Sequence, residues 1–369
     1  MICLTGCRSL APLETGRDWG DGPWQQEGGG ATRRFETTEK ACFPPVGKTS
    51  LSLSGSPVSG SPLVAGGLLF VPLVSEGIDI IPLDEGEHRG NLSVSGWLTC
   101  TPAIEGNHLL YAVSGHAGGV VVCFDLAKRR LVWEKATGLV EADLLVVQDT
   151  LVVATSSGEL SWGSAEDTTT WFHVEFPKCS IVATAADEGT IYVLCSNGVL
   201  AAVGRTERGI RWKVHGPSPT GLLVSSDGII VTHRKGGVCL RSLHDGRILW
   251  EKGIGGPVHA PPAADSEHVY VASADGSLSC LDIHDGRERW RYRLGGLLNA
   301  PPLVAGSHIV LAGAAGTLRA VDRENGREVW ADDVMERLVS HTVLAGGKLI
   351  VCSERGGAYL FRLETRDTP

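Results

Sequence analysis

Apolar residues along this chain come in short alternating runs and never in the long three-and-four spacing of an amphipathic helix. In one representative stretch the runs are 262–264, 268–273, 278–282 and 289–293, each of strand length and well supplied with β-branched or aromatic residues. The same order of residues returns 40 positions later. Ala300-Pro301-Pro302 through Asn325-Gly326-Arg327-Glu328-Val329-Trp330 repeats Ala260-Pro261-Pro262 through Asp285-Gly286-Arg287-Glu288-Arg289-Trp290. Tryptophans at 133, 171, 212, 250, 290 and 330 carry the period through the chain with spacings of 38, 41, 38, 40 and 40. Four strands in each period of about 40 residues predict propeller blades.

The turns agree with the strands. Between the second and third runs lie Gly118-Gly119, Ser157-Gly158, Asn197-Gly198, Gly236-Gly237, Asp275-Gly276, Ala315-Gly316 and Gly356-Gly357. Tight hairpins need positive φ there, which glycine accepts. Two further repeats open at Ser61-Pro62-Leu63-Val64 and at His341-Thr342-Val343-Leu344. The first has Leu92 where the tryptophan falls, and the last stops at Leu360-Phe361-Arg362-Leu363, before a fourth strand. A ring left open exposes an unpaired edge, so residues 49–55 are expected to supply the missing strand. The prediction is an all-β, eight-bladed propeller of four-stranded antiparallel blades over residues 48–369, closed by an N-terminal strand and preceded by a tether over 1–47.

Composition narrows the function. The 369 residues include 48 glycines, are 43% hydrophobic and 20% charged, and carry a formal net charge of −9, which suits a folded, turn-rich body repelled by phosphate backbones. Arg287, Arg289, Arg291 and Arg293 alternate along a turn and an outer strand, so they read as a solvated face and not as a nucleic-acid surface. The uncharged stretch 49–75 is long enough to span a bilayer, but its Ser-Gly-Ser-Pro pieces and Pro72 break any helix that would do so.

The phrase Ala320-Val321-Asp322-Arg323-Glu324-Asn325-Gly326-Arg327-Glu328-Val329-Trp330 resembles the tryptophan-docking motif of the pyrroloquinoline quinone (PQQ)-type propeller repeat family, with Ala, Asp, Gly and Trp at its first, third, seventh and eleventh positions. Cys280, Asp282, Gly286 and Trp290 match with one change; Cys123, Asp125 and Trp133 match with Arg129 in place of the glycine. Trp24-Gln25-Gln26-Glu27-Gly28-Gly29-Gly30 is similar to the Trp-led opening of such chains. In length and layout the chain resembles the BamB type of outer-membrane assembly lipoprotein. The resemblance implies a structural docking role for Trp133, Trp171, Trp212, Trp250, Trp290 and Trp330, packed between blades.

Enzymes of this repeat family pair their quinone with a vicinal Cys-Cys disulfide, a calcium and a catalytic Asp. No Cys-Cys dipeptide occurs here. The ten cysteines show no zinc spacing: Cys123, Cys239 and Cys280 fall at related third-strand positions, Cys195 and Cys352 at a shared second-strand position, and all read as unpaired apolar fillers. His108, His268 and His308 precede second strands of different blades and cannot converge on a metal. No Gly-x-Ser-x-Gly elbow, His-Glu-x-x-His helix or Walker loop is present. No catalytic, cofactor or metal residue is therefore assigned.

Leu4-Thr5-Gly6-Cys7 matches a lipobox and makes Cys7 a candidate lipidation site. Only six residues precede it, fewer than the basic and apolar regions of a signal peptide need, so either translation starts upstream or the match is accidental. The expected function is a non-catalytic, monomeric scaffold at the bacterial cell envelope. It takes no cofactor, meets the membrane only through a lipid anchor, and binds protein partners through loops on one face. Those loops are 253–258, 295–299 and 335–340, with the hairpins 234–237 and 354–357, and Glu336, Arg337 and Arg355 are the candidate contacts. A small PQQ-dependent quinoprotein dehydrogenase and a ligand-sensing propeller are the alternatives, and the free cysteines leave a cytoplasmic location open.

Overall fold

A computed structural model describes residues 24–364 apart from 27, 38, 40, 85–89, 116–117 and 339. Eight antiparallel sheets stand around an axis as the blades of a propeller, with no helix among the described residues. Blade 6 shows the plan: Ala263–Ala264 innermost, then His268–Ala272, Ser277–Asp282 and Glu288–Arg293 at the rim. The second and third strands are buried on both faces between neighbouring blades and so run almost uninterruptedly apolar, as in Thr190–Cys195 and Val199–Gly204. The outer strands face solvent on one side and alternate, as in Arg130–Thr137.

The ring closes as the unpaired edge requires. Cys42–Ser52 is the fourth strand of blade 8, antiparallel to Gly357–Glu364, with Thr49 opposite Leu360 and Ser52 opposite Gly357. It starts earlier than the sequence indicates, because Cys42 already pairs with Glu364 before the register breaks around Pro44 and Pro45 and resumes at Gly47.

Upstream of this strand lies a feature the sequence did not announce. The described part of the segment expected as a tether is packed against the ring from Trp24 onward. Inner strands have one free edge, facing the axis, and their buried N–H groups need acceptors. The segment supplies them blade by blade. Val64 donates to the Trp24 carbonyl (2.8 Å), Ile104 to Gln25 (2.8 Å), Ala186 to Ala31 (2.8 Å), Val224 to Thr32 (2.9 Å), Ala264 to Arg34 (3.0 Å) and Val304 to Phe35 (2.9 Å). In blade 3 the Gln26 side chain takes the bond, accepting from Val146 at 2.8 Å. In blade 8 the Glu39 carboxylate accepts from Gly346 and Gly347. One stretch of chain thus circles the axis and then runs out to the rim as the closing strand. Arg33 anchors it, buried, donating to the carbonyls of Thr184 (3.2 Å), Asp143 (3.1 Å) and Leu144 (3.1 Å). Cys7 lies outside the described residues.

Indoles bridge most seams between blades. Trp133 donates to Ala165 (3.1 Å), Trp212 to Leu243 (2.9 Å), Trp250 to Ile283 (2.8 Å) and Trp290 to Arg323 (2.9 Å), each crossing to the next blade. The motif glycine has a physical reason here. A Cβ on Gly286 would stand 2.6 Å from the Trp250 ring, and one on Gly326 would stand 2.5 Å from Trp290. Arg129 replaces that glycine in blade 2, where blade 1 sends no indole: Gly90, and not Leu92, sits opposite Ile80 at the tryptophan's place.

Two expectations are corrected. Trp171 is one residue out of register with the other tryptophans. Phe172 pairs with Trp162 at the docking place, as Trp290 pairs with Cys280, while Trp171 faces Gly163 and meets Trp133 edge-on. A one-residue slip turns a side chain to the opposite face of a strand. The seam is completed by Trp162, which donates to Arg205 at 3.2 Å, and by the Arg208 guanidinium stacked 3.8 Å from the Phe172 ring. The cysteines are also not all unpaired: Cys179 and Cys195 form a disulfide. Cys179 lies in the connection entering blade 4, outside the strand positions compared along the sequence, and the connection runs beside the end of the second strand, where Ile181 pairs with Cys195. Cys123, Cys239, Cys280 and Cys352 are free and buried, with thiols raised by burial above all, to about 12 in Cys123, Cys280 and Cys352.

Candidate functional site

Each connection from the rim of one blade to the inner strand of the next lies on one face of the ring, against the hairpin of the blade it enters. Ala274 donates to the carbonyl of Pro257 (2.7 Å), Ala314 to Leu297 (3.0 Å), Glu354 to Arg337 (2.9 Å) and Ser156 to Leu139 (2.9 Å). The loops 253–258, 295–299 and 335–340 and the hairpins 234–237 and 354–357 are thereby brought to a single surface. The opposite face carries the turns between first and second strands and between third and fourth.

The candidate contacts sit together at the end of this surface that blade 8 forms. Glu336 accepts from the Ser353 hydroxyl, and its carboxylate, after burial, helps raise the Tyr359 phenol. Arg337 Nη1 is 3.5 Å from Glu354 Oε2, but both side chains are more than half exposed, so this pair adds little stability. Arg355 is exposed at the hairpin tip. On the same face stand apolar residues that sequence reasoning passed over as sites: Met335, in the connection entering blade 8, is 97% exposed, and Leu297, Leu139 and Trp97, in the connections entering blades 7, 3 and 2, are each more than 40% exposed. An apolar residue standing among turn residues was the signal available. Of the arginines in the repeat, Arg289 pairs with Asp282, and Arg291 reaches the Ile254 carbonyl (2.9 Å) and Glu288 (2.6 Å). They brace the rim.

Residues just before the inner strands lead into a cup on the axis. One part, about 200 Å³, lies between Arg33, Phe35, Thr184, Thr220, Pro261 and His341. A second, about 270 Å³, shares Asp143 and His341 with the first and extends to Ser59, Ser61 and Glu141. The circling segment helps to line it through Arg33 and Phe35. The hydroxyls of Thr184 and Ser61 are buried without a hydrogen-bond partner. Among the described residues no three His, Cys, Asp or Glu side chains converge as metal ligands would. No helix there is long and apolar enough to cross a membrane.

Comparison with known proteins comes down on the same architecture. A family described as outer membrane protein assembly factor BamB matches residues 48–171 and 235–365. Among solved structures, BamB from Moraxella catarrhalis aligns with a TM-score of 0.68 at 15% identity over 87% of this chain and 99% of its own. A quinohemoprotein alcohol dehydrogenase from Pseudomonas putida HK5 aligns at 0.73 and 10% identity over 98% and 83%. The computationally designed Ika8 protein aligns at 0.74 and 12% identity over 86% and 100%. At these identities the likeness is one of fold. No curated protein matches the sequence.

Proposed function

The chain belongs to the family of the outer membrane protein assembly factor BamB, and from that premise we propose that it is a non-catalytic scaffold holding protein partners at the bacterial cell envelope. The observation that carries the reading is the connection-bearing face, where Met335, Leu297, Leu139 and Trp97 stand exposed in four different connections and Arg337 and Arg355 are exposed at its blade 8 end. Exposed apolar anchors within a polar surround are what a protein interface needs from one partner. The candidate lipid anchor at Cys7 would tie the ring to a membrane without a spanning segment.

A quinone in the central channel, which the dehydrogenase neighbours bring to mind, is a poor fit to these residues. The chain's own segment takes the free inner edges of the blades, and no metal-ligating group gathers among the described axial residues. No chemical step is therefore assigned. A ligand-sensing role is the second reading, favoured by the unpartnered hydroxyls of Thr184 and Ser61 in the axial cup.

Photo-crosslinking tests the scaffold reading. A photoreactive residue in place of Leu297 or Met335 is expected to trap an envelope protein, while one at the outer-strand position Ile248 is not. Redox turnover with an added quinone, and no adduct from the face, is the result that overturns it. Met335→Asp should weaken partner capture roughly fivefold or more and leave thermal stability unchanged, since that side chain packs against nothing.

A further inference from the structure

The eight seams are not equivalent. In blades 2, 4, 5, 6 and 7 the residue paired with the third strand at the docking place is a tryptophan, as Trp290 opposite Cys280 and Trp330 opposite Ala320, and blade 3 has Phe172 there. In blade 8 the partner of Leu360 is Thr49, because the outer strand comes from the N-terminal segment and not from the repeat. Among the described residues nothing large enters the seam with blade 1. A cavity of about 430 Å³ is found there, with Thr49, Leu51, Leu83 and Leu360 in its wall. That volume falls within the range of roughly 300–1,000 Å³ typical of small-molecule sites.

We propose that this seam is a socket for a tryptophan side chain presented by a partner polypeptide. Its form is set by its siblings. In four other seams an indole lies across the corresponding residues and donates its N–H to the carbonyl three places after the paired third-strand residue: Ala165 after Trp162, Leu243 after Leu240, Ile283 after Cys280, Arg323 after Ala320. By the same count from Ile80, the acceptor in blade 1 is the carbonyl of Leu83, which lines the cavity. An aromatic ring arriving from outside meets Leu51, Leu83 and Leu360 and a carbonyl at the position that accepts from the chain's own indoles.

The opening favours an acidic neighbour to that tryptophan. Among the described residues Lys48, Lys348 and Arg362 line it, with Asp84 the one carboxylate. Lys348 pairs with Asp84 and Lys48 with Asp332, each at 3.0 Å, which leaves the exposed Arg362 guanidinium to meet the partner's charge. The socket lies towards the face opposite the loop surface described above, so it stands or falls separately from that reading.

The test uses the whole protein and the capped peptide Asp-Trp-Asp, with Asp-Leu-Asp as its counterpart, in a calorimetric or ligand-observed NMR titration. The tryptophan peptide is expected to bind saturably, at least tenfold more tightly than the leucine peptide. Thr49→Trp, which fills the socket with the chain's own indole, should abolish binding and raise the melting temperature. Leu51→Asp, at a half-exposed position, should weaken binding at least tenfold and guards against misfolding of the first variant. No saturable binding to the wild type, no preference for tryptophan, or binding unchanged in both variants overturns the proposal.

Discussion

At the scale of single residues the seams make the sharpest predictions. Trp290 fills a seam and donates to Arg323, so Trp290→Ala should cost about 3 kcal/mol through the void and the lost bond. Gly326→Ala places a methyl against the same ring at a positive φ of 69° and should cost about 1–3 kcal/mol; chemical denaturation of each variant measures both. His233 gives a pH dependence. It is buried beside Cys239 and Arg241, and burial first, then the Arg241 guanidinium, lowers its pKa, with Glu251 and the Pro217 carbonyl opposing. The native state therefore binds fewer protons than the unfolded chain just below the ordinary histidine range, and stability rises with pH through that window and falls on acidification. His308, lowered chiefly by burial, acts in the same direction. His233→Gln should reduce the loss of urea midpoint between about pH 7.5 and about pH 5.5.

Among elements, legibility followed periodicity. Strands, hairpins and the closing strand could be read because each repeats or satisfies an edge that a repeat leaves open. Blade 3 could not be placed to the residue, because the steps of 38 residues to Trp171 and 41 residues beyond it do not say whether Trp171 or Phe172 faces the seam. Only the pairing of Trp162 with Phe172 decides it. The circling segment was illegible for a different reason: it touches most blades through a single hydrogen bond and so has no period of its own. Its signal was two large aromatics, Trp24 and Phe35, in a stretch otherwise rich in glycine and charge, and both prove to be buried. The loop surface was legible as a place, from the turn positions, but its exposed apolar residues were not. The disulfide escaped because only one of its cysteines belongs to a repeat position. It closes a separation of 16 residues, so Cys195→Ser should lower stability by about 3 kcal/mol on the chain-entropy account. Alkylation of the denatured, unreduced protein should leave Cys179 and Cys195 unlabelled.

For the molecule as a whole, the N-terminal segment does two jobs in one run of chain, lining the axis and completing blade 8. Deleting residues 1–52 removes both the circling segment and the strand opposite Gly357–Glu364, and should yield a protein that self-associates through the bared edge, read by light scattering and size-exclusion chromatography.

That arrangement also sets a clock on synthesis. The strand that ends at Ser52 leaves the ribosome about 300 residues before Gly357, its partner, is made, a wait of roughly 15–60 s at about 5–20 residues per second. Until then every finished blade belongs to an open arc, and the strand Cys42–Ser52 has no mate. The nascent chain must be shielded longest at that strand.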